Sequence, residues 1–276
     1  RLHPVTADGP TGEPVATGFA EREGVAVVEL ADVSGLQRLP GGRPAALTAS
    51  SYGTGQVLRA ALDAGCRRVV LAIGGSASTD GGAGLLAGLG ARLLDAGGRE
   101  LPHGGAALTA VDRLDLSGLH PAVGRVEGVV ACDVDNPLLG PAGAAAVYGP
   151  QKGATEADVA RLDAALARWA RVVAREVGRD AAGTPGAGAA GGVGFAAVAV
   201  LRAELRSGAD LVLELVRFGD HLGDARLVVT GEGSLDAQSL HGKAPVGVAA
   251  AAGRHGIPVV AVAGRCLLAA DQLVAA

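Results

Sequence analysis

The sequence predicts an α/β protein of two domains, one a doubly wound parallel sheet and the other mixed, and three observations predict it. Toward the end of the chain, helical and strand-like segments alternate: helix 210–222, strand 226–230, helix 244–254 and strand 258–263. That alternation belongs to parallel strands joined by crossover helices. Near the start, two β-like runs at 14–19 and 25–30 flank the polar turn Glu21-Arg-Glu-Gly24. This is the signature of an antiparallel hairpin, and hence of a different, mixed domain. The third observation is length: 276 residues, 49% of them hydrophobic, can bury one large core or two smaller ones and lean toward two.

Between these ends, residues 54–65 place apolar side chains at helical spacing and close on Gly65, directly before the apolar strand 68–73. A second helix is expected from about Gly82 to Gly90, and residues 127–132 read as a strand leading into an acidic loop. Thr155-Glu-Ala-Asp158 opens a helix with a hydroxyl cap and early acids, and Leu162, Leu166 and Trp169 carry its apolar face to about Val177. Residues 180–194 are almost wholly Gly, Ala, Pro and Thr, which predicts a loop or hinge, with a helix following over 195–205. No internal repeat is present.

Composition narrows the function. A net charge of −4, a pI near 5.9 and six aromatics (one Trp, two Tyr, three Phe) supply neither a basic patch nor stacking platforms, so nucleic acid is excluded as a partner. The 45 glycines sit at strand ends and helix starts and not in a periodic run, as turn and close-approach positions do. Cys66, Cys132 and Cys266 are widely spaced and lack any metal-ligand pattern, which fits a reducing compartment. No apolar stretch reaches the roughly 18 residues of a membrane helix and the start has no signal-like pattern, so a soluble, cytoplasmic protein without a membrane partner is expected. The chain contains no Met, even at position 1, which suggests that it begins inside a longer reading frame.

The scarce polar side chains gather in three glycine-punctuated segments. The first, Gly74-Gly-Ser-Ala-Ser-Thr-Asp-Gly-Gly82, follows a strand and offers Gly75, Ser76, Ser78, Thr79 and Asp80. A backbone without Cβ atoms approaches phosphate closely, and successive amides before a helix favour an anion; the alternative is an ordinary strand-to-helix turn. In the second, Asp133, Asp135 and Asn136 are hard oxygen donors able to hold Mg²⁺ or a sugar-acid hydroxyl, or else a turn with an Asx cap before Pro137. Gln151 and Lys152 follow in a Gly/Pro-flanked loop, where Lys152 either neutralises phosphate or is a solvated surface lysine. The third segment crowds Glu232, Asp236, Gln238 and Lys243 between a strand and a helix, the parts of a phosphoryl-transfer site: metal ligand or base, and charge neutraliser. It is not a P-loop, since alanine follows Lys243 and Ala237 stands where a glycine belongs. Gly186-Ala-Gly-Ala-Ala-Gly191 matches a dinucleotide fingerprint literally but lacks the preceding strand, which argues against that reading.

Taken together these motifs resemble the bacterial glycerate kinases of class I, the glycerate 2-kinase type. The resemblance is carried by Ile73-Gly-Gly-Ser-Ala-Ser-Thr-Asp-Gly-Gly-Ala-Gly84, Ala131-Cys-Asp-Val-Asp-Asn-Pro-Leu138, Tyr148-Gly-Pro-Gln-Lys-Gly-Ala154, Pro185-Gly-Ala-Gly-Ala-Ala-Gly-Gly192, and Gly231-Glu-Gly233 with Asp236, Gln238 and Gly242-Lys-Ala-Pro245. All five occur in the family's order across essentially the whole chain. Two positions depart from the pattern: Ser78-Thr79 stand where the family has Thr-Asn, and Ser234 stands where it has Arg. The family's opening and closing segments are missing, so the chain looks truncated at both ends.

The resemblance implies a Rossmann-like doubly wound parallel-sheet domain with a mixed α/β domain inserted into it. The insert would occupy residues 1–205 and the latter part of the doubly wound domain 206–276. It also implies ATP-dependent phosphorylation of D-glycerate, with Mg²⁺ bridging the nucleotide phosphates and 2-phosphoglycerate as the product. Asp236, supported by Glu232, is the candidate base or metal ligand, and Lys243 and Lys152 would stabilise the transferring charge. The turn from Ser76 would cradle phosphate or the glycerate carboxylate, while Asp133 and Asn136 orient hydroxyls. A kinase for a related hydroxy acid and a non-catalytic small-acid or nucleotide-binding fragment are the alternatives, and assembly into a homo-oligomer is left open.

Overall fold

The computed structural model describes residues 1–235 and 244–268. The chain divides into two compact units, Arg1–Leu205 and Arg206–Ala276. The fold is α/β.

In the first unit, β1 (Leu2–Asp8), β2 (Pro14–Arg22) and β3 (Val25–Glu29) form an antiparallel meander. The short α1 (Ala31–Ser34) and α2 (Tyr52–Asp63) lead to β4 (Arg68–Ala72), which lies parallel to β3. Next come α3 (Ala83–Gly88), the small hairpin of β5 (Arg92–Leu94) and β6 (Arg113–Asp115), and β7 (Glu127–Ala131), parallel to β4. The unit continues through α4 (Ala144–Tyr148), α5 (Glu156–Val177) and α6 (Ala189–Ala199) to β8 (Glu204–Arg206). The main sheet has the order β1-β2-β3-β4-β7-β8. Antiparallel at one side and parallel at its centre, it is the mixed sheet that the hairpin signature called for.

The core explains which elements were legible. The central strand β4 buries Val69, Val70 and Leu71, as a strand covered on both faces must. Helix α5 begins as its sequence prescribes: Thr155 Oγ1 accepts from the Asp158 amide at 3.2 Å, and Asp158 Oδ2 accepts from the Thr155 amide at 3.0 Å. Leu162, Leu166 and Trp169 are wholly buried along the inward face, and the buried indole donates from Nε1 to the Gly81 carbonyl at 3.0 Å. That bond ties the longest helix to the glycine-rich turn after β4.

Several elements differ from expectation, among them the helix expected over 195–205, which ends at Ala199 and is followed by the strand β8. β1 has no counterpart in the reading of the sequence, because its residues alternate between exposed and half-buried and carry little apolar signal. The segment expected as a hinge over 180–194 instead enters α6 at Ala189, through left-handed backbone at Ala190, Gly191 and Gly192. Small residues there serve packing: Val193, Phe195, Ala196 and Ala197 of this helix are buried to within 1%.

In the second unit, α7 (Gly208–Leu215) precedes β9 (Val228–Leu235), α8 (Ala244–Gly253) and β10 (Val259–Cys266). The strands β9 and β10 pair in parallel, with Ser234 opposite Arg265, and Leu222, Val228 and Ala252 form a small core. β9 runs on through Gly231, Glu232 and Gly233, so part of the segment read as a loop is strand.

Replacing Thr155 by Ala removes the reciprocal cap of α5 and should lower unfolding stability by about 1 kcal/mol, measured by urea denaturation, while Thr155→Ser should cost little.

Candidate active site

The parallel register of β4 and β7 sets Ala72 beside Ala131, so the loops that follow the two strands emerge together at their carboxyl ends. In open α/β sheets that is where ligands collect. The first loop contributes Gly74, Gly75 and Ser76, the second Cys132 and Asp133, and a short turn after α4 brings Gln151 and Lys152 to the same place. Tyr148 and the left-handed start of α6 complete the lining of a cavity of about 230 Å³. Five of the residues singled out from sequence, Gly75, Ser76, Asp133, Gln151 and Lys152, therefore share one wall.

Lys152 is the centre of this arrangement. Only 1% of it is exposed, and its Nζ donates to Ser76 Oγ at 2.8 Å and to the Ser78 carbonyl at 2.5 Å. Burial pushes the ammonium down to a pKa of about 8, against the opposing pull of the Asp80 charge. Of the two readings open from sequence, the solvated surface lysine is thus excluded. Around it, Gly75 adopts φ +69°, and the amides of Gly74, Gly75 and Ser76 donate to no acceptor among the described residues. Successive amides with one residue left-handed make an anion-binding concavity, here beside a buried cation.

Asp80 is fully buried behind this wall. Its carboxylate accepts from the Ser51 amide at 2.8 Å, from Ser51 Oγ at 2.9 Å, and from the amides of Gly82 at 3.1 Å and Gly84 at 3.2 Å. These bonds fix the turn from which α3 starts. Ser78 and Thr79 are also completely buried, and their hydroxyls meet no hydrogen-bond partner among the described residues. None of these three lines the cavity. Asn136 stands just behind it: Nδ2 donates to the Ala142 carbonyl at 2.9 Å, and Oδ1 accepts from Tyr148 Oη at 2.6 Å. Asn136 thereby orients the phenol, which does line the cavity. Burial raises the Tyr148 and Cys132 pKa values, so both stay protonated at neutral pH.

Sequence reasoning missed two contributors. Tyr148 lies beside the Gln151-Lys152 motif but was not weighed as a ligand. The run 186–191, a dinucleotide fingerprint in letter only and part of a motif of the family resemblance, carries no structural role in the reading of the sequence, yet the Gly191 carbonyl accepts from the Gly81 amide at 2.9 Å, and a Cβ on Gly191 would lie 2.0 Å from the Ser78 carbonyl. Its glycines allow backbone to touch backbone, and the positive φ at Gly191 admits no other residue cheaply.

In the second unit, Thr230, Glu232 and Ser234 alternate onto one half-buried face of β9. Ser234 Oγ accepts from Arg265 Nε at 3.1 Å, so a guanidinium from the adjacent strand occupies the side of Ser234. Asp236, Gln238 and Lys243 lie outside the described residues. Among the described residues, no three His, Cys, Asp or Glu side chains gather as a metal site, and no helix is long and apolar enough to cross a membrane.

A sequence model of the glycerate kinase family matches residues 1–276. The chain belongs to the glycerate kinase family. It is therefore an enzyme of the kinase type. Among its relatives, the glycerate kinase of Halalkalibacterium halodurans is 46% identical over 262 residues, covering 94% of this chain and 69% of that protein. The glycerate 2-kinase of Escherichia coli is 44% identical over 258 residues, covering 93% and 68%. A crystal structure from Salmonella typhimurium LT2, described as a glycerate kinase 2, superposes with a TM-score of 0.89 at 44% identity, over 98% of this chain and 72% of that one.

Two measurements test the wall. Gly191→Ala should cost at least about 2 kcal/mol in urea denaturation, from left-handed strain and the overlap with Ser78, whereas Gly183→Ala, with open space around it, should change little. The depressed Lys152 pKa means that between pH 8 and 10.5 the folded state binds fewer protons than the unfolded one. Stability relative to Lys152→Met should accordingly rise with pH across that window and be flat below it.

Proposed function

We propose that this chain phosphorylates D-glycerate with ATP, giving 2-phosphoglycerate. The observation that carries the reading is the cavity at the ends of β4 and β7. At about 230 Å³ it falls below the roughly 300–1,000 Å³ of sites for larger ligands and suits a three-carbon acid. Its one buried cation and three unclaimed amides meet a carboxylate, and Asp133, Gln151 and Tyr148 are placed for hydroxyl groups. The names of the relatives support glycerate as that acid, and the E. coli relative's name supports the 2-position.

Each residue then has a task. Lys152 and the Gly74–Ser76 amides hold the carboxylate, so the hydroxyls are presented away from the cation. The third polar segment, in the second unit, carries the candidate transfer groups: Asp236 as base or metal ligand with Glu232 in support, and Lys243 with Gln238 for the phosphates. In phosphoryl transfer Mg²⁺ is held by one or two carboxylates together with the substrate phosphates, and it offsets the charge on the transferring group. Glu232, half-buried near the carboxyl end of β9, is a hard oxygen donor that fits this use, and Asp236 is the second candidate. The three free cysteines support a cytoplasmic setting. Because Ser234 holds Arg265 at the same strand ends, a related short hydroxy acid is the second reading.

Phosphorus NMR of ATP, Mg²⁺ and D-glycerate with the enzyme should show 2-phosphoglycerate growing at the expense of ATP. No phosphoglycerate with glycerate, but turnover with another short hydroxy acid, would move the assignment to the second reading. Asp236→Asn should lower kcat at least about 100-fold with an unchanged circular dichroism spectrum; undiminished turnover would remove Asp236 from the mechanism.

A further inference from the structure

The contact between Lys152 and Ser76 has a geometry that anion binding alone does not require. A lysine that only neutralises a ligand's charge points its ammonium at the ligand. Here Nζ lies 2.8 Å from a serine hydroxyl oxygen, and a second bond, to the Ser78 carbonyl at 2.5 Å, fixes its direction. Ser76 is 6% exposed and Lys152 1%, yet both line the cavity, so the pair is shielded from bulk water and open to a bound molecule. The Gly74, Gly75 and Ser76 amides on the same wall have no acceptor among the described residues. Nucleophile against base, base held by a third group, and unclaimed amides where charge would develop are the three relations that define a covalent catalytic site. Serine–lysine pairs are a known variant of that constellation.

We propose that Ser76 is a covalent nucleophile with Lys152 as its base, directed at electrophilic phosphorus. When Lys152 is neutral, its lone pair accepts the Ser76 hydroxyl across the same 2.8 Å. In the reaction Ser76 Oγ forms a bond to phosphorus, and the bond from phosphorus to the leaving group breaks with its electron pair going to that group. The hydroxyl proton passes to Lys152 Nζ, and the phosphoryl oxygens lie against the Gly74–Ser76 amides. The product is a phosphoserine ester. Where the donor is a nucleoside triphosphate, the leaving group is the diphosphate; the phosphoryl group and an acid's carboxylate would then be alternative occupants of the same amides.

Other groups bear on the pair. Asp80, behind the wall, holds positive charge on Lys152, opposing the burial that releases it. Cys132, Asp133 and Tyr148 line the cavity, and Cys132 and Tyr148 are kept protonated by burial at neutral pH. Lysine is thus the group in the cavity whose proton loss falls near pH 8.

The test is labelling of the intact chain with a small alkyl fluorophosphonate, in which fluoride leaves from phosphorus, read by intact mass and peptide mapping. The expected result is a single adduct at Ser76, absent from Ser76→Ala. Its rate should rise with pH up to about 8 and level off above, and Lys152→Met should slow it at least about 100-fold, the usual worth of a positioned base. The pH profile uses the unmodified chain, so it stands even if Lys152→Met fails to fold. Absence of an adduct at Ser76 at pH 9, an adduct that persists in Ser76→Ala, or a rate indifferent to Lys152 would each overturn the proposal. The labelling needs neither nucleotide nor glycerate, so its failure leaves the kinase reading intact, and a failure of that reading leaves this one standing.

Discussion

The site depends on one ammonium group taken out of water. Placing a lysine in a protein interior is costly unless its donors are satisfied and a negative charge is near. Lys152 has Ser76 Oγ and the Ser78 carbonyl as acceptors, and the field of Asp80. All three belong to the turn after β4, which is itself braced from outside. Ser51 and the Gly82 and Gly84 amides hold Asp80, Trp169 of α5 holds the Gly81 carbonyl, and the backbone of Gly191 lies on Ser78 and Gly81. Loosening any brace changes the surroundings of the ammonium, which is why residues far apart in sequence act on one cavity.

That organisation separates residues that line the cavity from residues that shape its wall. Gly75, Ser76, Asp133, Gln151 and Lys152 line the cavity, and Tyr148 joins them through its bond to Asn136. Asp80, Ser78 and Thr79 stand behind it, fully buried. The carboxylate of Asp80 has its oxygens occupied by five donors, so its contribution runs through the turn and through the charge it sets against Lys152. The parallel register of β4 and β7 does the rest, delivering two loops to one edge.

Much of this was legible where local rules decide. Helix α5 announces itself by a capping box and a 3.6-residue apolar period, and the β2–β3 hairpin by a polar turn between β-like runs. β1 was not, because its backbone pairing with β2 is satisfied while its side chains stay largely wet, leaving no apolar alternation to read. α6 was hidden for the opposite reason: glycine and alanine look like linker in sequence but serve close backbone contact here. The polar composition of the first two segments marked residues that line one cavity, and the order of the motifs named the family. The burial of Lys152 could not be read, since its partners lie 76 and 74 residues away and only the tertiary fold brings them together.

The central claim is that the cavity around Lys152 receives the carboxylate of a short acid. A crystal structure of the chain soaked with D-glycerate tests it most directly. The account predicts a carboxylate seated between Lys152 Nζ and the Gly74–Ser76 amides, with its hydroxyls toward Asp133 and Gln151. Glycerate bound elsewhere while this cavity holds only water, or Lys152 turned out to solvent, would contradict it.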